Sequence, residues 1–95
     1  MLVRVWQYDI QPGREAEFER IYGASGDWAQ LFGRSTDYLG TELYRAVEQP
    51  QRYLTVDRFS SFEAWERFQN EHGTDYAELD SRCGTLTSAE FDVLR

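Results

Sequence analysis

Lysine is absent from the chain, and all ten basic residues are arginines. With no lysine amine there is no side chain to form a Schiff base or to hold the phosphates of a P-loop, so both chemistries are excluded. Cysteine is almost absent: Cys83 stands alone. A lone cysteine makes no internal disulfide, and without a Cys-x-x-Cys pair neither a zinc ribbon nor a thioredoxin-like redox centre is expected; a reducing cytoplasm suits such a chain. Histidine occurs once, as His72. No run of about 18 apolar residues is present to cross a membrane. The opening MLVRVWQYDI is too short and too polar to predict a signal peptide. Ten basic residues against seventeen acidic ones leave a net charge of −7, which repels a phosphate backbone and argues against nucleic acid as a partner.

Aromatic residues are plentiful, with three Trp, six Tyr and six Phe among 95 residues. That length suits one core, so residues 1–95 are expected to form a single domain. A domain of this size buries only about 60 to 70% of the surface its unfolded chain exposes, so a partner subunit would add useful burial.

β-branched and aromatic residues over Leu2 to Ile10 predict a strand that Pro12-Gly13 ends in a turn. Phe18, Ile21 and Tyr22 then fall at helical spacing within Arg14 to Tyr22, with Glu15, Glu17 and Glu19 on the solvated side. Gly23 and Gly26 break this helix, and Asp27 is placed to cap a short second one that groups Trp28, Leu31 and Phe32. Strands follow over about Tyr38 to Ala46 and Arg52 to Phe59, joined at Gln49-Pro50 as a hairpin. Ser60 and Glu63 match a capping box at the start of a long helix. Trp65, Phe68, His72, Tyr76, Leu79 and Cys83 recur along it in steps of three or four, with an interruption expected at His72-Gly73. A last strand over about Glu90 to Leu94 completes the order β-α-β-β-α-β. The expected fold class is therefore α+β: a ferredoxin-like four-stranded antiparallel sheet with helices on one face.

Alternation within the strands predicts pairing of two chains. Arg4, Trp6 and Tyr8 share one face of the first strand while Val3 and Val5 share the other, and on the third strand Leu54 and Val56 oppose Tyr53, Thr55 and Phe59. One layer of helices covers only one face of such a sheet, so the second face calls for the sheet of another copy.

The segments GDWAQLF, YLGTELYR, YLTVDRF and SSFEAWERF resemble those of the antibiotic biosynthesis monooxygenase-like group of the dimeric α+β barrel superfamily, along nearly the whole chain. The resemblance implies a homodimer formed through one sheet face and a substrate cavity between the other face and the helices. It also implies a monooxygenase that needs no cofactor and acts on an aromatic or polyketide-like compound. Two further functions are open to the same fold: a non-catalytic ligand-binding or stress-associated dimer, and a haem-binding or haem-degrading relative. The haem-degrading branch uses an asparagine, a tryptophan and a later histidine; the first two positions fall near Trp6 and Phe68, and no histidine stands at the third.

His72, the only histidine and so the one side chain whose unshifted pKa lies near neutrality, is the candidate base, with Arg4 and Tyr8 stabilising the anion it creates; it reads equally as a helix-terminal histidine stabilised by the helix dipole before Gly73. Trp6, Trp28, Phe32, Trp65, Phe68 and Tyr76 are the candidate substrate-binding residues. The same aromatics serve equally as a plain core. No metal site is expected, because His72, Glu71 and Asp75 do not project from one helical face, and Cys83 completes the apolar stripe as a buried, inert thiol.

Overall fold

The computed structural model describes residues 1–95. Its elements are β1 (Leu2–Ile10), α1 (Glu15–Tyr22), α2 (Asp27–Phe32), β2 (Tyr38–Arg45), β3 (Arg52–Phe59), α3 (Phe62–Cys83) and β4 (Thr87–Asp92). They form one antiparallel sheet in the order β2-β3-β1-β4, the arrangement expected from the sequence. Element ends moved in three places. Ser61, not Ser60, caps α3, accepting a hydrogen bond from the Ala64 amide. Gly26 occupies the N-cap of α2 and Asp27 is already helical, so its side chain caps nothing. β4 begins at Thr87 rather than near Glu90, because pairing with β1 continues past a bulge at Asp9/Ile10.

The interruption expected in α3 is present: His72 has φ −124° and ψ 19°, outside the helical region, and divides the helix in two. Before it, Trp65 and Phe68 face the core; after it, Leu79 and Cys83 do. A break at this point lets both halves of the stripe reach a twisted sheet that a straight helix would leave at one end.

Period-two alternation decides what each side of the sheet carries. Tyr8, Ile10, Tyr53 and Phe59 enter a core that α1 and α2 close with Phe18, Ile21, Tyr22, Trp28, Leu31 and Phe32. Rings dominate this core: Phe18 lies nearly parallel to Tyr22 with centroids 4.1 Å apart, and Phe32 meets Phe59, Trp65 and Phe68 edge-on. The opposite face displays Val3, Val5, Leu54, Val56, Tyr44 and Phe91, with Phe91 54% exposed and Tyr44 51% exposed. Arg52 pairs with Asp9 and Arg58 with Glu42 among these apolar side chains.

Two glycines test the backbone packing in opposite directions. A Cβ on Gly26 would run into the carbonyl oxygens of Ile21 and Arg20, whereas one on Gly73 meets nothing. Gly26→Ala is expected to cost about 2 kcal/mol or more through that overpacking. Gly73→Ala should be neutral or stabilise by up to about 1 kcal/mol through lost freedom of the unfolded chain. Urea denaturation midpoints read both changes.

Candidate active site

The row of inward side chains on β3 reads Tyr53, Thr55, Asp57, Phe59, which places a carboxylate among aromatic rings. Strand register sets its neighbours: Asp57 stands opposite Arg4 of β1 on one side and Thr41 of β2 on the other. Three polar residues thus form one line across the helix-facing side of the sheet. Asp57 and Thr41 are each only 8% exposed. The Thr41 hydroxyl donates to Asp57 Oδ1 at 2.5 Å and itself pairs with the Tyr38 hydroxyl. Burial pushes the Asp57 carboxyl above the usual aspartate range, while the Thr41 hydrogen bond and the Arg4 charge pull it back. Arg4 lies over the Trp65 ring, 4.8 Å from its centroid, reaches Trp6 at 5.9 Å, and bonds Asp92 at 3.4 Å. Cation–π contact and a partly buried ion pair together hold the guanidinium in place.

A cavity of about 150 Å³ opens above this row. Its polar wall is formed by Arg4, Thr41, Thr55 and Asp57, and its apolar wall by Trp6, Trp28, Phe32, Trp65, Tyr8 and Tyr22. Tyr76, Asp80 and Glu90 complete it toward the C-terminal half of α3 and the edge strand β4. The aromatics that the sequence left open between core and cavity do both: Phe32 and Trp28 are core residues that also line the space. Burial pushes the Tyr8 hydroxyl far above its ordinary pKa, opposed by the nearby Thr55 hydroxyl, so Tyr8 remains a neutral donor at physiological pH. Thr55 Oγ1 nonetheless finds no partner in hydrogen-bond geometry, nor does Trp28 Nε1.

Of the residues expected from the sequence, the cavity gathers Arg4, Tyr8, Trp6, Trp28, Phe32, Trp65 and Tyr76, but neither His72 nor Phe68 lines it. Phe68 is 1% exposed and fills the core beneath Phe32 and Phe59. His72 sits at the break in α3, packed against Phe68 at 5.2 Å, with Glu71 its nearest carboxylate at 3.9 Å. His72, expected as the base, has the Phe68 ring as its aromatic neighbour and forms no part of this cavity wall. Asp57, Thr41 and Thr55, which sequence inspection passed over, supply the polar wall instead. Their signal was present in the alternation: in the row Tyr53, Thr55, Asp57, Phe59 the two polar members share a face with two large rings.

Against known proteins, residues 1–74 match the family model described as antibiotic biosynthesis monooxygenase. The chain belongs to the antibiotic biosynthesis monooxygenase family. The matched stretch runs from β1 into α3 and stops before Tyr76, Asp80 and Glu90. A Bordetella bronchiseptica protein named for this family shares 27% identity over 92% of this chain and 85% of its own, with a TM-score of 0.68. SnoaB, a cofactor-independent oxygenase from Streptomyces nogalater, has the same fold at 18% identity, covering 96% of this chain and 90% of its own with a TM-score of 0.72. A Nitrosomonas europaea protein, also named for the antibiotic biosynthesis monooxygenases, shares the fold at 8% identity and a TM-score of 0.70, over 96% of this chain and 84% of its own. No curated protein matches the sequence.

The raised carboxyl has a stability consequence whose sign follows from proton linkage. Between the ordinary aspartate pKa of about 3.9 and the higher folded-state value, the folded chain holds a proton that the unfolded chain has lost, so stability falls as pH rises through that window. Asp57→Asn keeps an oxygen for the Thr41 hydroxyl and removes the penalty. It is expected to melt above the wild type at neutral pH, with the difference shrinking as the solution is acidified below the aspartate range. Melting temperatures of both proteins against pH measure this, and a variant less stable than wild type at neutral pH contradicts it.

Proposed function

We propose that this chain is a cofactor-independent monooxygenase for a compact aromatic phenol or enol. The observation that carries the reading is a buried carboxylate, Asp57, opposite Arg4 in the strand register and on the wall of an aromatic-lined cavity. Family membership supports it, and so does the fold shared with SnoaB.

Such a substrate supplies its own electrons. Asp57, whose carboxyl burial pushes above the usual aspartate range, takes the phenolic or enolic proton. The anion that forms is stabilised by the Arg4 charge and by the Tyr8 hydroxyl, which stays protonated and donates. An electron-rich anion passes one electron to dioxygen, and recombination at carbon gives a peroxide. Loss of water from it, taking the second hydrogen of the same carbon, leaves a carbonyl. The balance is CH₂ plus O₂ giving C=O plus H₂O, with all reducing electrons drawn from the substrate. Trp6, Trp28, Trp65 and Phe32 keep water from the anion, which strengthens each polar contact in the cavity. Tyr76 closes the same wall beside Trp28, 4.9 Å away and edge-on.

The same reading includes a homodimer joined through the open sheet face, where Leu54, Tyr44 and Phe91 are exposed together. An apolar surface of this kind, threaded by the ion pairs Arg52–Asp9 and Arg58–Glu42, suits a self-complementary contact about a two-fold axis.

Oxygen uptake with anthrones and hydroquinones tests the chemistry. Asp57→Asn should lose about 10²- to 10⁴-fold in kcat, whereas His72→Ala should stay near wild type. Full turnover by Asp57→Asn, or loss on replacing His72, sinks the assignment. For the pairing, sedimentation should give a species of twice the 11.2 kDa chain mass, and Leu54→Arg should shift it toward a single chain; a wild-type monomer at micromolar concentration refutes the interface.

A further inference from the structure

The charge lining the cavity is one-sided. Arg4 is its only cation, and that guanidinium is already committed to Asp92 and to the Trp65 ring. Against it stand three carboxylates: Asp57 at the sheet, and Asp80 and Glu90 at the exposed side. Neither Asp80 nor Glu90 meets an arginine; Glu90 accepts only from the Thr87 hydroxyl, at 3.2 Å. They belong to the two elements that frame the opening: the part of α3 beyond the break at His72, and β4, an edge strand paired only with β1. Burial pushes the Tyr76 hydroxyl upward, Arg4 opposes this, and Asp80, Asp57 and Glu90 all push in the same upward direction, so the fields of the three carboxylates converge on that ring. Two polar atoms in the cavity's residues, Thr55 Oγ1 and Trp28 Nε1, are buried without hydrogen-bond partners, so the wall retains polar capacity for a ligand.

We propose that the cavity selects a hydroxyaromatic ligand bearing a positively charged group, such as a protonated amine, at the end away from Asp57. The proposal rests on the preceding reading, in that the same cavity holds the substrate with its hydroxyl at Asp57. The cation then lies between Asp80 and Glu90, against the faces of Trp28 and Tyr76, where carboxylate attraction and ring quadrupoles act together. An aromatic carboxylate or phosphate meets like charge at the opening, and the net charge of −7 gives it no compensating long-range attraction. Asp80 and Glu90 lie beyond residue 74, outside the stretch that the family model matches.

Calorimetric titration of the whole chain at low salt with three matched one-ring phenols tests it: tyramine as the cation, 4-ethylphenol as the neutral analogue and 4-hydroxyphenylacetate as the anion. Tyramine should bind tightest and 4-hydroxyphenylacetate weakest, each step being about 3- to 10-fold and shrinking as salt screens the exposed carboxylates. The double variant Asp80→Asn/Glu90→Gln should level the series without weakening 4-ethylphenol. Equal affinities, anion preference, no binding by any of the three, or a cation preference that survives in the double variant each overturn the proposal. Oxygen uptake is read separately: a preserved affinity ranking with no uptake from any anthrone or hydroquinone defeats the oxygenase reading and leaves the charge selection standing.

Discussion

Keeping a carboxylate inside an aromatic chamber is the constraint around which the rest of this molecule is organised. An unpaired buried charge costs several kcal/mol in an apolar setting, so Asp57 persists only because neighbouring strands deliver partners to it. β2 brings the Thr41 hydroxyl into hydrogen-bond contact, and β1 brings the field of the Arg4 charge, both residues standing opposite Asp57 in the strand register. Trp65 and Asp92 in turn hold Arg4. Compensation is incomplete, and the residual penalty is what raises the carboxyl above the usual aspartate range. A group suited to taking a proton is therefore also a group the fold carries at some loss of stability.

The sheet divides the labour between its two sides. Helices α1, α2 and α3 enclose the face with the polar row and leave the other to its apolar strip and two ion pairs. Neither side could exchange roles with the other, because a one-residue slip of β3 would carry Asp57 to the open face and Arg58 into the chamber. Membership of the antibiotic biosynthesis monooxygenases agrees with this scaffold, and proteins of 8 to 27% identity keep it. What differs among such chains is then expected in the side chains projecting from the common rows.

The sequence carried the architecture openly because periodicity and turn residues are local signals. Alternation in Leu2–Ile10 and Arg52–Phe59, and the three-and-four spacing from Trp65 to Cys83, were enough to place both strands and the long helix. The aromatic walls were legible for the same reason, since Trp6 and Tyr8 share a strand face with Arg4. The polar wall was not, although Asp57 and Thr55 alternate with Tyr53 and Phe59. An aspartate in a strand ordinarily reads as solvated, and only cross-strand register reveals that Thr41 and Arg4 flank it. His72 was singled out as the one histidine of the chain, and its ring packs on Phe68, at a position whose backbone conformation no spacing rule supplies.

The break at residue 72 divides one wall of the cavity between two pieces of a single helix. Trp65 stands on one piece of α3, while Tyr76 and Asp80 stand on the other, so the two sides of the space are joined through a single non-helical residue. Asp80 lies about 12 Å along the axis from that joint at roughly 1.5 Å per residue. A rotation of about 5° there displaces it by about 1 Å, comparable to the radius of an atom, with the sheet untouched. Substitutions at one backbone joint can thereby resize the chamber of a descendant protein while every strand and its register are inherited unchanged.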